Sequence, residues 1–350
     1  MKILVTGGAG FIGSEVCRKL VLEKQCSIVN IDKLTYAATL TSVASLEGHS
    51  GYRFIKADTC DREKIRSIFF EHRPDAVLHL AAESHVDRSI DSPDAFIQTN
   101  IVGTYEMLQA AYLYWQDLKP DAQKAFRFLH VSTDEVYGAL GETGQFTEES
   151  PYSPTSPYSA SKAASDHLAR AWWLTYGLPV MISTCTNNYG PYQFPEKLIP
   201  RMIINALEGR PLPVYGEGSN QRDWLHVSDH VEALFAVLTR GRPGETYAIG
   251  SNNDCMNIDL VKKICALMDE TVDDLPTRPS ADLISFVEDR PGHDFRYAIN
   301  PEKIQTELAW KPQYTLDDGL RQTVRWYLDN RQWWEPIAEN VYNGERLGVK

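Results

Sequence analysis

Short apolar runs alternate with amphipathic helical patterns over the first half of the chain. The runs are nearly continuous rather than alternating with polar residues, which is typical of strands buried on both faces of a parallel sheet. Such runs lie near Lys2, Ser27, Arg53, Asp75, Phe126 and Val180. This rhythm predicts a doubly wound α/β domain over residues 1–186.

Beyond residue 186 strand and helix patterns no longer alternate regularly. Connectors rich in proline and glycine separate helical patterns over residues 198–207, 228–238, 258–268 and 316–328. This part predicts a smaller mixed α/β lobe over residues 187–350. A segment at about 225–250 is expected to be woven back onto the first domain.

A glycine-rich turn joins the first strand to the first helix, where residues 7–13 read GGAGFIG. In this position Gly7 would form the tight turn, Gly10 would let a pyrophosphate approach the backbone, and Gly13 would let the helix pack closely. The pyrophosphate would lie at the positive end of that helix. The pattern predicts a dinucleotide-binding Rossmann domain, and a purely structural glycine turn is the alternative.

Asp32 ends the second strand about 20 residues after the glycine turn, which is the position of the ribose-binding acid in such domains. Its carboxylate can accept hydrogen bonds from a ribose but repels a 2′-phosphate. NAD is therefore favoured over NADP, although Lys33 beside it weakens that preference.

Two adjacent carboxylates, Asp134 and Glu135, follow the buried run of residues 126–131. Neighbouring strand residues point to opposite faces, so both can serve one site only if the backbone leaves the strand at about Ser132. Glycines at 138, 141 and 144 and prolines at 151, 154 and 157 indicate that it does. The alternative is an ordinary polar loop with solvated acids.

Tyr158 and Lys162 follow Pro157 at helical spacing, so they share one face of a predicted helix. A free tyrosine, with a pKa of about 10, is a poor base at neutral pH. A neighbouring cation, helped by the charge of a nicotinamide, would favour the phenolate. The pair therefore predicts an acid–base role for Tyr158.

These features together resemble the extended short-chain dehydrogenase/reductase family over most of the chain. Within it, STDEVYG at residues 132–138 resembles the signature of the nucleotide-sugar 4,6-dehydratases. Further matching segments lie at residues 32–37, 79–87, 187–192, 194–200, 222–224 and 290–294. One departure is Ala38-Thr39, where the family usually has glycine and asparagine; it changes the backbone expected for that loop.

The resemblance implies a reaction with no net redox change. Tyr158 would remove the O4 proton of the sugar while C4 gives its hydride to NAD, with Thr133 and Lys162 holding the reacting groups in register. Glu135 would then remove the C5 proton and Asp134 would protonate the departing C6 hydroxyl. Return of the hydride to C6 would give a 4-keto-6-deoxy sugar.

The resemblance also implies two sets of binding residues. The expected NAD contacts are Gly7, Gly10, Phe11, Ile12, Gly13, Asp32, Lys33, Thr35, Asp58, Ala81, Ala82, Ser84, Thr99, Tyr158 and Lys162. The expected nucleotide-sugar contacts are Ser84, His85, Asn187, Lys197, Leu198, Pro213, Tyr215, Arg222, Asn257, Arg290 and His293. Lys197, Arg222, Arg290 and His293 would supply the positive charge that an anionic substrate requires.

Composition narrows the classes of protein further. The 350 residues are 43% hydrophobic and 23% charged, and the net charge of −12 argues against a nucleic-acid partner. Met1 leads directly into the first strand and the apolar runs are short, so neither an export leader nor a membrane span is expected. The six cysteines and the histidines have no metal-ligand spacing, so we expect reduced thiols, a cytoplasmic protein and no metal.

The helices after Pro93 and Pro157 carry large apolar residues on more than one face, which indicates either core or interface. These residues include Met107, Leu108, Tyr112, Trp172, Trp173 and Tyr176. Because the family pairs through these two helices, a homodimer is expected.

Several activities remain open. The resemblance favours dTDP-glucose as substrate and leaves UDP-glucose as the alternative, because related enzymes share the carboxylate motif. A nucleotide-sugar 4-epimerase would need the tyrosine and lysine but not Asp134 and Glu135. A non-catalytic protein that senses NAD is the alternative outside the enzymes.

Overall fold

The computed structural model describes residues 1–289 and 292–340. Its largest sheet is formed by β1 (Lys2–Thr6), β2 (Ser27–Asp32), β3 (Tyr52–Lys56), β4 (Ala76–His79), β5 (Arg127–Thr133), β6 (Val180–Cys185) and β10 (Thr246–Ile249). The strand order is β10-β6-β5-β4-β1-β2-β3, and all neighbours are parallel. The predicted doubly wound sheet is confirmed, with β10 as a strand that the pattern of apolar runs did not indicate.

The smaller sheets belong to the second half of the chain. They are formed by β7 (Asn187–Tyr189), β8 (Leu212–Tyr215), β9 (Gln221–His226), β11 (Asp254–Met256) and β12 (Ile284–Val287). One sheet has the order β11-β9-β7, and β12 pairs with β8 in a two-stranded parallel sheet.

Helices flank both faces of the large sheet and fill the second lobe. They are α1 (Phe11–Leu22), α2 (Arg62–His72), α3 (Val86–Asp91), α4 (Pro93–Phe96), α5 (Gly103–Gln116), α6 (Pro120–Ala125), α7 (Pro157–Tyr176), α8 (Leu198–Leu207), α9 (Val227–Arg240), α10 (Asn257–Thr271), α11 (Glu302–Leu308), α12 (Leu316–Asp329) and α13 (Arg331–Asn340). A π-helical segment, Ile97–Val102, connects α4 to α5.

The large sheet is buried on both faces, as its continuous apolar strands predict. In β1, Ile3 and Val5 pack with α1 and α9, whereas Leu4 packs on the opposite face with α2, α5 and α7. A separate core joins α8, α10, α12 and α13 in the second lobe. Because β10 follows α9 and pairs with β6, the chain returns to the large sheet after entering the second lobe.

Candidate active site

The glycine turn after β1 leaves room beside the backbone at one position. Gly7 has φ of +73°, and a Cβ there would lie 2.9 Å from the backbone of Ala81. A Cβ on Gly13 would lie 2.1 Å from the Gly7 carbonyl oxygen, so neither position accepts a side chain. At Gly10 the nearest atom would be that same oxygen at 3.4 Å, an ordinary contact. Protein packing alone does not require glycine at Gly10, and the open space beside it fits a pyrophosphate at the start of α1.

A cavity of about 300 Å³ extends from this turn along the carboxyl ends of the large sheet. All but one of the residues predicted to contact NAD line it: Gly7, Gly10, Phe11, Ile12, Gly13, Asp32, Lys33, Thr35, Ala81, Ala82, Ser84, Thr99, Tyr158 and Lys162. The exception, Asp58, lies outside the lining, where its carboxylate is 3.6 Å from Lys33 Nζ. The same lysine donates a hydrogen bond to Thr99 Oγ1 at 3.0 Å.

The two oxygens of Asp32 accept hydrogen bonds from the backbone N–H groups of Ala9 at 3.0 Å and Leu34 at 2.8 Å. Burial raises the pKa of this carboxyl, and these two donors oppose the shift. Asp32 is therefore held in place at the end of β2, beside the glycine turn, where a ribose of a bound dinucleotide would lie.

The carboxylate pair lies in a tight turn at the end of β5. The strand continues through Thr133, one residue further than predicted, and residues Asp134–Tyr137 form a 3₁₀ turn. Thr133 Oγ1 accepts the backbone N–H of Glu135 at 3.3 Å and donates to Asp134 Oδ1 at 3.4 Å. Because the turn replaces the strand, Asp134 and Glu135 both line the cavity.

Asp134 is 1% exposed, and its Oδ2 has no hydrogen-bond partner within the described residues. Burial raises its pKa well above the usual range, as do the charges of Glu135 and Asp223, whereas Arg222 acts in the opposite direction. These surroundings favour the protonated form of Asp134.

Tyr158 and Lys162 lie on the first turns of α7, which begins at Pro157 and is capped by Ser156 and Ser159. Lys162 Nζ donates to the Val131 carbonyl at 2.8 Å, and burial lowers its pKa. Burial also raises the pKa of Tyr158 well above its usual value. Glu135 and Cys185 act on this pKa in the same direction, and a hydrogen bond with Thr133 opposes them.

A second cavity of about 210 Å³ adjoins the first. The two share the lining residues Ser84, Glu135, Asn187, Asn188, Gln193, Glu196 and Lys197. Its lining includes the predicted substrate contacts Ser84, His85, Asn187, Lys197, Leu198, Pro213, Tyr215, Arg222, Asn257 and His293. Arg290, the remaining prediction, lies outside the described residues. Glu135 thus stands where the two cavities meet.

The cations of the second cavity are partly engaged by the protein. Arg222 donates to the carbonyls of Gln221, Phe295 and Asp294 at 2.7, 3.2 and 2.8 Å. Lys197 Nζ donates to the Ser84 carbonyl at 3.2 Å. Arg222, expected to bind a substrate phosphate, thus also supports the backbone of the cavity wall through its guanidinium.

The model of the family described as GDP-mannose 4,6 dehydratase matches residues 4–323 of this chain. The chain belongs to this family. Among curated relatives, a probable dTDP-glucose 4,6-dehydratase from Sinorhizobium fredii is 58% identical over 353 residues, with 100% of this chain and 99% of the relative covered.

Solved structures agree with the family. A dTDP-glucose 4,6-dehydratase from Streptomyces venezuelae, crystallised with NAD bound, is 44% identical with a TM-score of 0.87, covering 96% of this chain and 100% of that one. A UDP-glucose 4-epimerase from Thermus thermophilus, in complex with NAD, has a TM-score of 0.83 at 26% identity and covers 94% and 100% of the two chains. The predicted membership of the extended short-chain dehydrogenase/reductase group is confirmed.

This family member also has cavity residues that the sequence analysis did not select. Glu196 is buried, lines both cavities, and accepts hydrogen bonds from the Tyr36 hydroxyl at 3.0 Å and Arg88 Nε at 3.2 Å. Cys185 lines the first cavity, and Tyr297 lines the second. Glu196 lies within the family-like segment 194–200, which was its only signal; nothing in the sequence marks Cys185.

Proposed function

We propose that this chain is an NAD-dependent dehydratase that converts dTDP-glucose to dTDP-4-keto-6-deoxyglucose. The observation that supports the proposal most directly is the turn after β5, which brings Asp134 and Glu135 into the first cavity and places Glu135 at its junction with the second. Tyr158 and Lys162 line the first of these cavities. One site thus contains the groups needed for oxidation and for elimination of water.

Bound NAD would accept a hydride from C4 of the sugar and return it to C6. Tyr158, as its phenolate, takes the proton from the sugar O4. Burial raises the pKa of Tyr158 and so opposes the phenolate. We propose that the cationic Lys162, one turn further along α7, and the charge on the nicotinamide favour it. The hydrogen bond between Tyr158 and Thr133 also lowers the pKa of the tyrosine.

Elimination requires a base and an acid at neighbouring carbons. Glu135 removes the proton from C5, which the C4 ketone has made acidic, and Asp134 gives its proton to the C6 hydroxyl as water leaves. Glu135 then returns its proton to C5. Each turnover therefore leaves Tyr158 protonated and Asp134 ionised, and one proton must move between them before the next cycle.

The residues that would hold NAD follow from the first cavity. The Gly10 backbone and the start of α1 would contact the pyrophosphate, and Asp32 would bind a ribose. We propose that residues 1–186 and the returning segment at about 225–250 hold the cofactor. The remaining part of residues 187–350 would hold most of the nucleotide-sugar, with the second cavity as its site.

The experiment is to incubate the purified protein separately with dTDP-glucose and UDP-glucose and to measure products by mass spectrometry. Loss of one water from dTDP-glucose alone supports the proposal. Loss of water from UDP-glucose instead would mean that UDP-glucose is the substrate. A C4 epimer of unchanged mass would assign an epimerase, and NAD binding without turnover of either sugar would assign a non-catalytic protein.

We further propose a cytoplasmic homodimer. Its six cysteines are free thiols, which agrees with a reducing compartment. In the described residues, no helix is both long and apolar enough for a membrane span. Met107 and Leu108 of α5 face the core, but Leu174 and Tyr176 of α7 are 74% and 45% exposed. These exposed residues are the apolar surface that a second copy would cover.

Leu174→Arg should convert a dimer to a monomer in sedimentation velocity, because it places a charge in the proposed contact. Phe286→Arg is the matched control, since Phe286 is 61% exposed on β12, outside the two proposed helices. A wild-type monomer, or a Leu174→Arg dimer, would exclude this interface.

A further inference from the structure

A buried carboxylate that takes no part in the proposed chemistry lies one helical turn beyond Lys162. Asp166 on α7 has no exposed surface. Ser132 Oγ donates to Asp166 Oδ2 at 2.7 Å, and the Tyr152 hydroxyl donates to the same oxygen at 2.9 Å. His130 Nε2 lies 3.1 Å from Oδ1. We refer to His130, Ser132, Tyr152 and Asp166 as the Asp166 cluster.

The hydrogen bonds determine which nitrogen of His130 carries the proton. Ser165 Oγ donates to the Lys162 carbonyl at 2.8 Å, so it can only accept from His130 Nε2, which lies 3.1 Å away. Burial lowers the pKa of His130 and the charge of Lys162 lowers it further, whereas a hydrogen bond with Asp166 and the charge of Asp166 act in the opposite direction. The net shift favours the neutral imidazole, which leaves the negative charge of Asp166 in place. Oδ1 has no aligned donor in residues 1–289 and 292–340.

Two members of the cluster flank Val131, the residue whose carbonyl holds Lys162. His130 and Ser132 alternate with Val131 along β5, so their side chains share one face of the strand. Lys162 Nζ donates to the carbonyl of Val131. Along α7, Tyr158, Lys162 and Asp166 are spaced by four residues each, so a phenol, an amine and a carboxylate follow one another on one face of the helix.

We propose that Asp166 is the buried counter-charge that keeps Lys162 cationic, and that through Lys162 it controls the ionisation of Tyr158. Asp166 is a positioning residue, because it acts through Lys162 and lines neither cavity. The proposal rests on the proposed function only in taking Tyr158 as the base. Burial lowers the pKa of Lys162, and among the charges that raise it Asp166 has the largest effect.

Other ionisable groups also face these two residues. Around Lys162 they are His79 on β4, His130 on β5 and Cys185 on β6; around Asp166 they are His130, Tyr137 and Tyr152. Tyr158, one turn before Lys162 on α7, is acted on by Glu135, Asp134 and Cys185. Burial lowers the pKa of His79 and of His130, so both are neutral. Burial raises the pKa of Cys185, so the thiol stays protonated. Within this buried set, Asp166 is the group whose charge raises the pKa of Lys162 most.

The direction of the expected change in the pKa of Tyr158 follows from the order of Tyr158, Lys162 and Asp166 along α7. Without the Asp166 charge, the pKa of Lys162 falls and the amine loses its proton at lower pH. Tyr158 then loses its cationic neighbour, and its phenolate forms only at higher pH. Direct repulsion between Asp166 and the phenolate would act in the opposite direction. That pair is two helical turns apart, so the nearer Lys162 dominates.

The test compares Asp166→Asn with Tyr152→Phe in the holoenzyme. The first variant removes the charge and keeps the shape of the side chain, whereas the second removes one donor and keeps the charge. We expect the acidic limb of the pH profile of kcat/KM for dTDP-glucose to move upward by about one unit or more in Asp166→Asn. Its position should be unchanged in Tyr152→Phe.

A second measurement does not depend on turnover. The phenolate absorbance of Tyr158 is obtained as the difference between each protein and the same protein carrying Tyr158→Phe, titrated with pH. The titration of Tyr158 should move to higher pH in Asp166→Asn only. This result can hold even where dTDP-glucose proves to be the wrong substrate, so the two proposals fail separately.

Three results would overturn the proposal. One is a Tyr158 titration in Asp166→Asn that superimposes on the wild type, and another is a shift to lower pH. The third is an equal shift in Tyr152→Phe, which would show that the cluster acts by packing rather than by charge. Should Asp166→Asn fail to fold, Asp166→Glu replaces it: a carboxylate there should preserve the wild-type titration, and a shifted titration would contradict the proposal.

Discussion

Replacement of Asp134 by asparagine separates acid catalysis from the other functions of the site. Asparagine has nearly the same shape and can still accept the hydrogen bond from Thr133 Oγ1 through its carbonyl oxygen. Burial, Glu135 and Asp223 raise the pKa of Asp134, which favours the neutral form of the wild-type side chain. The substitution therefore removes a donatable proton while leaving the local charge nearly unchanged.

The expected loss is at least the roughly hundredfold typical of a missing general acid, or about 2.7 kcal/mol in activation free energy. The free energy of unfolding should not fall in the same way as the activity. A carboxyl whose pKa is raised in the folded state makes the protein less stable as pH rises from the unfolded pKa through the folded one. Asp134→Asn lacks that loss, so its free energy of unfolding at neutral pH should equal or exceed that of the wild type.

The assay is a single turnover with dTDP-glucose in heavy water, quenched at intervals and analysed by mass spectrometry. In Asp134→Asn the C6 hydroxyl should leave slowly, while deuterium continues to enter at C5 through Glu135. In Glu135→Gln, oxidation at C4 should proceed while exchange at C5 is suppressed. If both variants stop at C4 oxidation, the carboxylates only position the substrate. If both retain full activity, the turn is an ordinary polar loop.

Three further outcomes are expected. Tyr158→Phe should slow oxidation at C4 by at least about a hundredfold, measured as the rate of nicotinamide reduction in a single turnover, and near-normal reduction would mean that another group is the base. Gly10→Ala should fold normally but bind NAD weakly in calorimetry, whereas Gly13→Ala should lower the melting temperature because its Cβ would meet the Gly7 carbonyl; equal stability losses would refute this distinction. The protein should purify with nicotinamide bound and need no added oxidant, and stoichiometric release of free NADH during turnover would contradict the hydride-return scheme.

The large sheet could be predicted because its strands are apolar at successive positions. Ile3, Leu4 and Val5 are all buried on alternating faces, which only a sheet covered by helices on both sides allows. Strand β10 did not stand out, because its four residues follow a helix and gain their position from pairing with β6. Its place at the sheet edge is a long-range contact that no local pattern reports.

The site was predictable where its residues are adjacent in sequence. Asp134 and Glu135, or Tyr158 and Lys162, carry their own spacing, and family resemblance extended the prediction to most residues of the two cavities. Glu196 and Asp166 are different, because each depends on partners far away in the chain. Tyr36 and Arg88 hold Glu196 from 160 and 108 residues away, and Ser132 holds Asp166 from 34 residues away. In a sequence, a buried acid cannot be distinguished from an ordinary polar residue unless its hydrogen-bond donors are known.

The fold alone does not determine which reaction this sheet supports. Nucleotide-sugar 4-epimerases share the parallel sheet and require a base at O4, the role proposed here for Tyr158. The sheet and the tyrosine therefore fit oxidation at C4 and do not distinguish an epimerase from a dehydratase. The step that separates a dehydratase from an epimerase is elimination across C5 and C6, which needs two carboxyl groups in different protonation states. Here the surroundings of the two carboxyl groups differ. Asp134 is buried with its pKa raised, whereas Glu135 is less buried and borders both cavities. In the proposed mechanism, the chemical difference between the two activities therefore lies in one turn, where β5 ends at Thr133 and the next two side chains reach the same cavity.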